Sequence, residues 1–444
     1  METSLEELIK NLYSMPRYPL GAGYDNALEY LKHLLKLEVI EIPSGKEVGT
    51  WEVPEEWILK DAWVKDPKGI KIIDLKEDPL CVAIGSHAFR GSVDLKEFRK
   101  HLYYGTEEGK ISATPYIFKY YDDDWGFCMP KDKVLIPNVN NIPDEGIIGE
   151  NGKAFIPKTI CGLEEGYYEI WIDSERVPGK LKLGVHTIPG KIKNEILLFA
   201  HLDHPFQANN NLSGVACLVD LAMRIKSDYT IKIVFCPETI GSTAYALTQD
   251  ISNVEFVIAV DMCGNNNDLL LNNSLIDHKI NKAAHLAIYS LGKNYMKGRF
   301  RSTIGSDEGV FNDPLIGIPG IMLSRYPFPE YHTSADTPDK IDYDKIKETG
   351  NVVEKIINIY ERDFIPKRKF KGQLMRSRYR IQSSNKQVNL AWDYLIYAMD
   401  GKTSLVELCC NFGLNFDYVY GIMEELIKDG KISRINKGIK SPYQ

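Results

Sequence analysis

The spacing of apolar residues near the N-terminus is that of amphipathic helices. Apolar residues recur every three or four positions in residues 5–12 and again in residues 27–34, which is the period of a helix with one buried face. The Pro16–Gly23 stretch lies between the two series, and proline and glycine interrupt helices. The pattern therefore predicts two helices within residues 1–40.

From Val39 to Leu183 the pattern changes to short runs of alternating apolar and polar residues, many of them bounded by Gly, Pro or Asp. Such alternation is typical of strands that are buried on one face. We therefore predict a β-rich inserted domain at residues 61–154. An aromatic cluster in this domain is interpreted as its packed core, with stacking against a sugar as the alternative; the cluster consists of Tyr120, Tyr121, Trp125 and Phe127.

Strand-like and helical runs alternate in the next region. The predicted strands are Ile192–Ala200, Ile231–Cys236 and Val254–Asp261, and the predicted helices between them are Leu212–Ile225 and Ser242–Leu247. This alternation predicts an α/β fold in which a mostly parallel sheet is covered by helices on both faces. We assign residues 1–60 and 155–365 to one discontinuous domain, which closes with a long helix at Tyr343–Arg362.

The C-terminal part begins with a basic stretch, and residues 366–384 are predicted to be a linker. Residues 385–444 carry three short helical patterns and a terminal strand pattern, which together predict a winged-helix domain. Four acids and no Lys or Arg lie between Thr403 and Ile427. Because affinity for DNA depends on basic residues that neutralise phosphates, we expect this domain not to bind DNA.

The formal net charge of −7 gives the chain no general basic field, so neither a nucleic acid nor a membrane is expected as a partner. The first residues, METSLEELIKNLYSM, lack the features of a signal peptide, and no apolar run reaches the length of a membrane span. Eight cysteines are scattered without a CxxC pair, which favours reduced thiols over a disulfide framework. The expected location is the cytoplasm.

Side chains of the types that bind metals follow three successive predicted strands. The first candidate ligand is either His201 or His204, and Asp203 is placed to orient an imidazole. The other candidates are Glu238, Asp261 and His332. A single His or Asp at a strand end is commonly a surface residue or a helix cap. Their recurrence at strand ends that share one edge of a sheet instead predicts a metal site.

These residue types suit catalytic zinc, which binds His nitrogen and carboxylate oxygen and keeps one position open for water. Zinc lowers the pKa of that water and polarises the scissile carbonyl group. A nearby carboxylate can then move the proton from the water to the leaving amine. The pattern therefore predicts a metal-dependent hydrolase.

Several motifs together resemble the zinc aminopeptidase superfamily, which includes glutamate carboxypeptidase and glutaminyl cyclase. They occur in the order HLD, NNLSG, PETIGS, a strand that ends in Asp, and YHTSADT. More closely, the whole chain is similar to aminopeptidase-like proteins that were formerly a domain of unknown function. Those proteins combine an inserted domain with a C-terminal winged helix, and their genes often lie near genes for cell-surface polysaccharides. The most specific shared motif is PEYHTSADT at residues 329–337.

The resemblance implies a set of metal ligands. The first metal histidine of the superfamily falls on His201, whereas the narrower family favours His204. Later ligand positions match Asp261 and His332. The aspartate that bridges two metals in the superfamily falls on Asn210. Because an amide is a poor bridging ligand, we expect one zinc ion rather than two.

The resemblance also implies catalytic and substrate-binding residues. Of the glutamate pair that supplies a base and a ligand in the superfamily, only Glu238 remains. Glu308, in a segment that matches a substrate-side loop, is the second candidate for the general base. The expected substrate-binding residues are Asn210, Ser306, Asp307 and Tyr331.

The function expected from these features is zinc-dependent hydrolysis of an amide bond, as in an aminopeptidase or an N-deacylase. The substrate is expected to be a small amide, such as an N-acyl amino sugar, or a short peptide. One alternative is acyl transfer or cyclisation on the same fold. Another is a binding module that has lost peptidase activity, which the amide at Asn210 favours. Homo-oligomerisation is left open.

Overall fold

The computed structural model describes residues 4–105, 112–134, 163–381 and 385–435. The helices in these ranges are α1 (Leu5–Tyr13), α2 (Ala22–Leu34), α3 (Leu95–Phe98), α4 (Lys131–Val134), α5 (Ser213–Ala222), α6 (Ile240–Thr248), α7 (Lys279–Ser290), α8 (Glu308–Phe311), α9 (Tyr343–Arg362), α10 (Lys386–Ala398), α11 (Leu405–Phe412) and α12 (Phe416–Lys428).

The strands in the same ranges are β1 (Leu37–Pro43), β2 (Glu47–Val48), β3 (Trp51–Glu52), β4 (Glu56–Lys65), β5 (Lys71–Asp74), β6 (Phe89–Asp94), β7 (Leu102–Tyr104), β8 (Phe127–Met129), β9 (Tyr167–Val177), β10 (Lys180–Ile188), β11 (Glu195–His201), β12 (Thr230–Cys236), β13 (Val254–Val260), β14 (Leu269–Asn272), β15 (Tyr295–Gly298), β16 (Gly320–Ser324), β17 (Ile365–Arg368) and β18 (Ile432–Ile435).

An eight-stranded mixed sheet with the order β1-β10-β12-β11-β13-β16-β14-β15 forms the centre of the protein. The four neighbours β12, β11, β13 and β16 are parallel to one another. Strands β1 and β10 add antiparallel pairs at one edge, and β14 pairs antiparallel with β16 towards the other. The mostly parallel sheet predicted from the alternating pattern is confirmed.

Alternate residues of β11 enter two different hydrophobic layers, as expected for a strand that is covered on both faces. Ile196 and Leu198 pack with residues of α5, α7 and α9 on one face. Leu197 and Phe199 pack with residues of α6 and α8 on the other. Helices therefore cover both faces of the sheet, and β11 lies at its centre.

The inserted region contains a second sheet, with strand order β5-β4-β9-β6. The predicted boundaries of the inserted domain, residues 61 and 154, are too narrow for this sheet, because β4 begins at Glu56 and pairs with β9 as far as Val177. In the aromatic cluster Trp125 and Phe127 are buried in the core, as predicted. Tyr121 is instead 61% exposed.

The C-terminal part contains three helices, α10 to α12, where three were predicted. Residues 366–368 belong to β17, which pairs antiparallel with β18, so the region predicted to be a linker begins inside a strand. Residues 436–444 lie outside the described residues. The winged helix therefore stays a prediction.

Two of the acids in the C-terminal helices face the body of the protein. Asp417 forms ion pairs with Lys355 at 2.5 Å and Arg362 at 2.6 Å, both on α9. Glu407 pairs with Lys282 on α7 at 3.0 Å. The C-terminal helices therefore pack against the domain that contains the large sheet.

Two further findings concern the helices and the cysteines. None of the helices in the described ranges has the length and apolar character required to span a bilayer. The seven described cysteines are free thiols, and six of them are buried.

Candidate metal centre

The candidate site lies at the carboxyl ends of the three parallel strands β12, β11 and β13. His201 is the last residue of β11, Glu238 follows the end of β12, and Asp261 directly follows β13. Because β11 pairs with both of the other strands, their carboxyl ends meet at one edge of the sheet. The fold thus brings the three predicted side chains together.

The nitrogen and oxygen atoms of the site have the spacing of ligands around a cation. His201 Nε2 lies 3.6 Å from Asp261 Oδ2, and His204 Nε2 lies 3.4 Å from Glu238 Oε2. One ligand atom each from His201, His204 and Glu238 lie within 4.8 Å of one another. Ligands at zinc bond lengths in a tetrahedron are spaced about 3.3 Å apart. Both candidate histidines therefore lie at the centre, and Asp261 lies beside it.

Several buried ring nitrogens of the site have no hydrogen-bond partner. They are His201 Nε2, His204 Nδ1 and His332 Nε2. Buried polar atoms are normally hydrogen-bonded, and a neutral imidazole nitrogen is the atom by which His binds a metal. The residues present therefore fit a zinc ion.

His332 reaches the site on a separate loop. Its ring lies 5.4 Å from that of His204 and stacks on Tyr331 at 3.9 Å, measured between ring centroids. His332 is not one of the three residues with the closest ligand atoms. Its role as a ligand stays a prediction, and Tyr331 lies next to it on the same loop.

Asp307, which was expected to bind substrate, lies beside His201. Its Oδ2 is 3.7 Å from His201 Nδ1, and its Oδ1 accepts hydrogen bonds from Thr239 N and Ser242 Oγ. A carboxylate beside the second nitrogen of a ligand histidine fixes the ring orientation. This is the role that the sequence suggested for Asp203, whose Oδ1 instead accepts a hydrogen bond from the backbone N–H of Glu238 at 2.8 Å.

Ser306 connects the two candidate bases. Its hydroxyl group donates a hydrogen bond of 3.0 Å to Glu238 Oε1, and its backbone N–H donates one of 2.9 Å to Glu308 Oε2. The other oxygen of Glu308, Oε1, is buried without a partner. Burial raises the pKa of Glu308 to about 7. Because both carboxylates bind Ser306, both lie in the region of the site, and Glu238 also contacts His204.

Two carboxylates fix the asparagine loop between β11 and α5. Asp336 accepts hydrogen bonds from Asn209 N at 2.7 Å and Asn210 N at 2.8 Å, and Asp261 Oδ1 accepts one from Asn211 N at 2.9 Å. The side-chain nitrogen of Asn210 is buried without a partner. Sequence reasoning missed the role of Asp336, although its position four residues after His332 was a usable signal.

Strained backbone is concentrated in the loops of the site. Eight non-glycine residues have a positive φ within the described ranges. Five of them adjoin or belong to the candidate site: Phe206, Asn211, Thr239, Met262 and His332. Such conformations persist where surrounding structure enforces them, and they cluster at functional sites.

Opposing influences set the protonation of the site. Burial disfavours a charged His201, but Glu238 and Asp261 outweigh burial and raise the pKa of His201 well above its usual value. Burial would also raise the pKa of Glu238, but the charge of His201 and the contact with His204 lower it. Burial lowers the pKa of His332 to about 3, so its ring is neutral at pH 7 and available to a metal.

Tyr116 of the inserted region also contributes to the site. Its ring lies 4.9 Å from that of His204 and 5.2 Å from that of His332. Its backbone N–H donates a hydrogen bond of 2.7 Å to the carbonyl oxygen of His332. Sequence reasoning missed this residue, because no local pattern relates it to a loop so distant in the chain.

Comparisons with known structures define the class of fold. The structural match with a zinc aminopeptidase from Bacillus subtilis covers 80% of this chain and 93% of the aminopeptidase chain, with a TM-score of 0.54 and 15% sequence identity. The match with a peptidase M28 precursor from Shewanella amazonensis covers 80% of this chain and 92% of the precursor chain, with a TM-score of 0.55 and 15% sequence identity. The protein therefore has the zinc aminopeptidase fold.

Closer relatives cover nearly the whole chain. The family described as "Domain of unknown function (DUF4910)" matches residues 6–363, and the chain belongs to this family. One relative is a Clostridium acetobutylicum protein that is named for polysaccharide biosynthesis and an aminopeptidase-like domain. It is 30% identical to this chain over 427 residues, and the alignment covers 92% of this chain and 91% of the relative. A crystal structure from Clostridium acetobutylicum, of a protein named as a peptidase, has a TM-score of 0.77 at 26% identity and covers 97% and 96% of the two chains. The resemblance inferred from the motifs is confirmed.

Proposed function

We propose that this protein is a zinc-dependent hydrolase of an amide bond in a small substrate. The observation that carries the proposal is the group formed by the buried His201 and His204 with the half-buried Glu238, whose ligand atoms lie within 4.8 Å of one another. The fold of zinc aminopeptidases supports it. The names of the Clostridium acetobutylicum relatives are consistent with it.

In this proposal His201, His204, Asp261 and His332 would hold one zinc ion. The ion would polarise the substrate carbonyl group and lower the pKa of a water molecule. On the other side of the His201 ring, Nδ1 lies 3.3 Å from the hydroxyl oxygen of Ser306 and 3.7 Å from Asp307 Oδ2. Asn210 offers an amide in place of a bridging carboxylate, and for this reason we favour one ion over two.

Glu238 is our candidate for the group that accepts the proton from water and passes it to the leaving amine. Geometry decides before pKa in choosing a general base. Glu238 Oε2 lies 3.4 Å from His204 Nε2, and Ser306 holds its other oxygen. Glu308 has the pKa better suited to a base but contacts the site through the backbone of Ser306. We therefore rank Glu308 second.

The substrate is proposed to be small because Tyr116 lies against two of the histidines and reduces the space around them. N-acyl amino sugars and short peptides both present an amide of suitable size.

The test is turnover of two substrate panels by the zinc-loaded full chain. One panel contains N-acetylated amino sugars, and the other contains aminoacyl p-nitroanilides and dipeptides. We expect turnover in one panel that is lost with Glu238→Gln while zinc content is retained. Loss of zinc in Glu238→Gln would make Glu238 a ligand and leave Glu308 as the base. Stoichiometric zinc without turnover of any amide would contradict hydrolysis and favour the binding module.

A further inference from the structure

Arg17 is a completely buried arginine on the far side of the candidate metal loop. It lies in the break between α1 and α2 and has 0% exposure. Arginine is seldom fully buried, and then it is usually paired with an acid. Within the described residues, each hydrogen bond of the Arg17 guanidinium goes to a backbone carbonyl oxygen.

The guanidinium joins the end of α1 to the loop that carries both candidate histidines. Arg17 Nε donates a hydrogen bond of 2.9 Å to the carbonyl oxygen of Leu202. One terminal nitrogen donates to the carbonyl oxygen of His204, and the other donates to that of Leu12. Two of the carbonyl groups that it holds, those of Leu202 and His204, therefore belong to the loop of the candidate histidines, and the carbonyl group of Leu12 belongs to α1.

Its planar fork suits this task, because five N–H groups in fixed directions can bind several carbonyl oxygens at once. A lysine ammonium carries the same charge but cannot reproduce that geometry. Burial lowers the pKa of Arg17 to about 9, which leaves it charged at neutral pH. The carboxylate of Asp203 acts in the opposite direction and favours the charge.

We infer that Arg17 is a positioning residue for the metal centre: it fixes the loop from Leu202 to His204, and zinc affinity depends on it. The inference rests on the metal centre of the proposed function. It goes beyond that proposal because Arg17 belongs to the N-terminal helical pair and touches none of the proposed ligand atoms. The groups behind a metal ligand typically change metal affinity about 10–100-fold when they are replaced.

Arg325 provides a matched control for the loss of a buried arginine. It is 1% exposed, and its guanidinium donates to the carbonyl oxygen of Asn267 and to Glu348 rather than to the histidine loop. Replacement of either arginine should lower the melting temperature. Only replacement of Arg17 should lower zinc affinity.

The experiment measures the zinc dissociation constant of the full chain by competition with a chromogenic chelator, for the wild type and for Arg17→Lys, Arg17→Gln and Arg325→Lys. We expect Arg17→Gln to weaken zinc binding about 10–100-fold and Arg17→Lys to lie between it and the wild type. Arg325→Lys should bind zinc like the wild type. The visible absorption of the cobalt-substituted protein, recorded at saturating metal, should change for the Arg17 variants because the histidines are misplaced.

The outcomes separate the two proposals. If the wild type binds zinc and the Arg17 variants bind it equally well, Arg17 only stabilises the fold and the inference is wrong. If Arg325→Lys weakens zinc binding as much as Arg17→Lys, the effect is a general one of stability and the inference is again wrong. If the wild type binds no zinc, the proposed function fails together with the inference. Arg17→Lys keeps the test decisive should Arg17→Gln not fold.

Discussion

Replacement of Gly214 by alanine should destabilise the protein, because α5 passes close to the end of β13 at this residue. A Cβ atom at position 214 would lie 2.1 Å from the carbonyl oxygen of Val260 and 3.1 Å from the Cα atom of Asp261. Ordinary contacts between such atoms are about 3.5 Å long. The start of α5 and the end of β13 would therefore have to separate by more than about 1 Å.

The size of the effect follows from the nature of the clash. Overpacking in a dense core costs about 1–3 kcal/mol, and here the obstacle is backbone, which cannot rotate away. We therefore expect about 3 kcal/mol. For a domain of roughly 150–250 residues this corresponds to a melting temperature lower by about 6–12 °C. Because Asp261 directly follows Val260, zinc affinity should fall as well.

Thermal melts followed by circular dichroism, with zinc competition on the folded variants, measure both effects. Gly421→Ala is the control, because Gly421 lies inside α12 and a Cβ atom there meets nothing within 4 Å. Alanine favours a helix over glycine by about 1 kcal/mol, so this variant should melt no lower than the wild type. A Gly214→Ala protein that melts like the wild type would refute the close approach of α5 to β13.

Four further predictions concern the metal and nucleic acids. His332→Ala should remove zinc and any hydrolase activity, as measured by metal analysis; full zinc occupancy would exclude His332 as a ligand. Asn210→Asp should raise the zinc stoichiometry, because a carboxylate can bridge two ions; unchanged metal content would place residue 210 away from the metal. Zinc affinity should rise with pH, by up to about tenfold per pH unit, because the pKa of His201 is raised and zinc must displace a proton from its ring. Competition with a chelator between about pH 6 and about pH 8 measures this dependence, and an affinity that does not change with pH would contradict the prediction. The full chain should not bind duplex DNA, because the two helices that carry Asp417 and Glu407 dock on the body of the protein through ion pairs of these residues. A salt-sensitive gel shift at micromolar protein would contradict this prediction.

The parts of the fold and site that depend on strand order were predictable from the sequence. The strand patterns before His201, Glu238 and Asp261 indicate parallel strands, and the ends of parallel strands meet at one edge. Long-range pairing was not predictable, because no local pattern encodes it. Asp336 binds the backbone of Asn209 from 127 residues away.

The roles of individual carboxylates were also outside the reach of the sequence. Asp203 is adjacent to the candidate histidines in the chain, yet it binds the backbone of Glu238. Asp307 is distant in the chain, yet it lies beside His201. Proximity in the sequence favours Asp203 as the neighbour of the His201 ring, whereas tertiary packing places Asp307 there. The extent of the inserted sheet was missed for the same reason, since β4 and β9 pair across an interval of about a hundred residues.

The pairing of the inserted region with the His332 loop affects the order in which the protein can assemble during synthesis. Thr114 N donates a hydrogen bond to Ser334 Oγ, a residue 220 positions later, and Pro115 pairs with Thr333. His201, Glu238 and Asp261 leave the ribosome well before residue 332, so the large sheet can begin to form without that loop. The centre closes only when the loop pairs with a segment made much earlier. Zinc capture would therefore report that both regions have folded and docked.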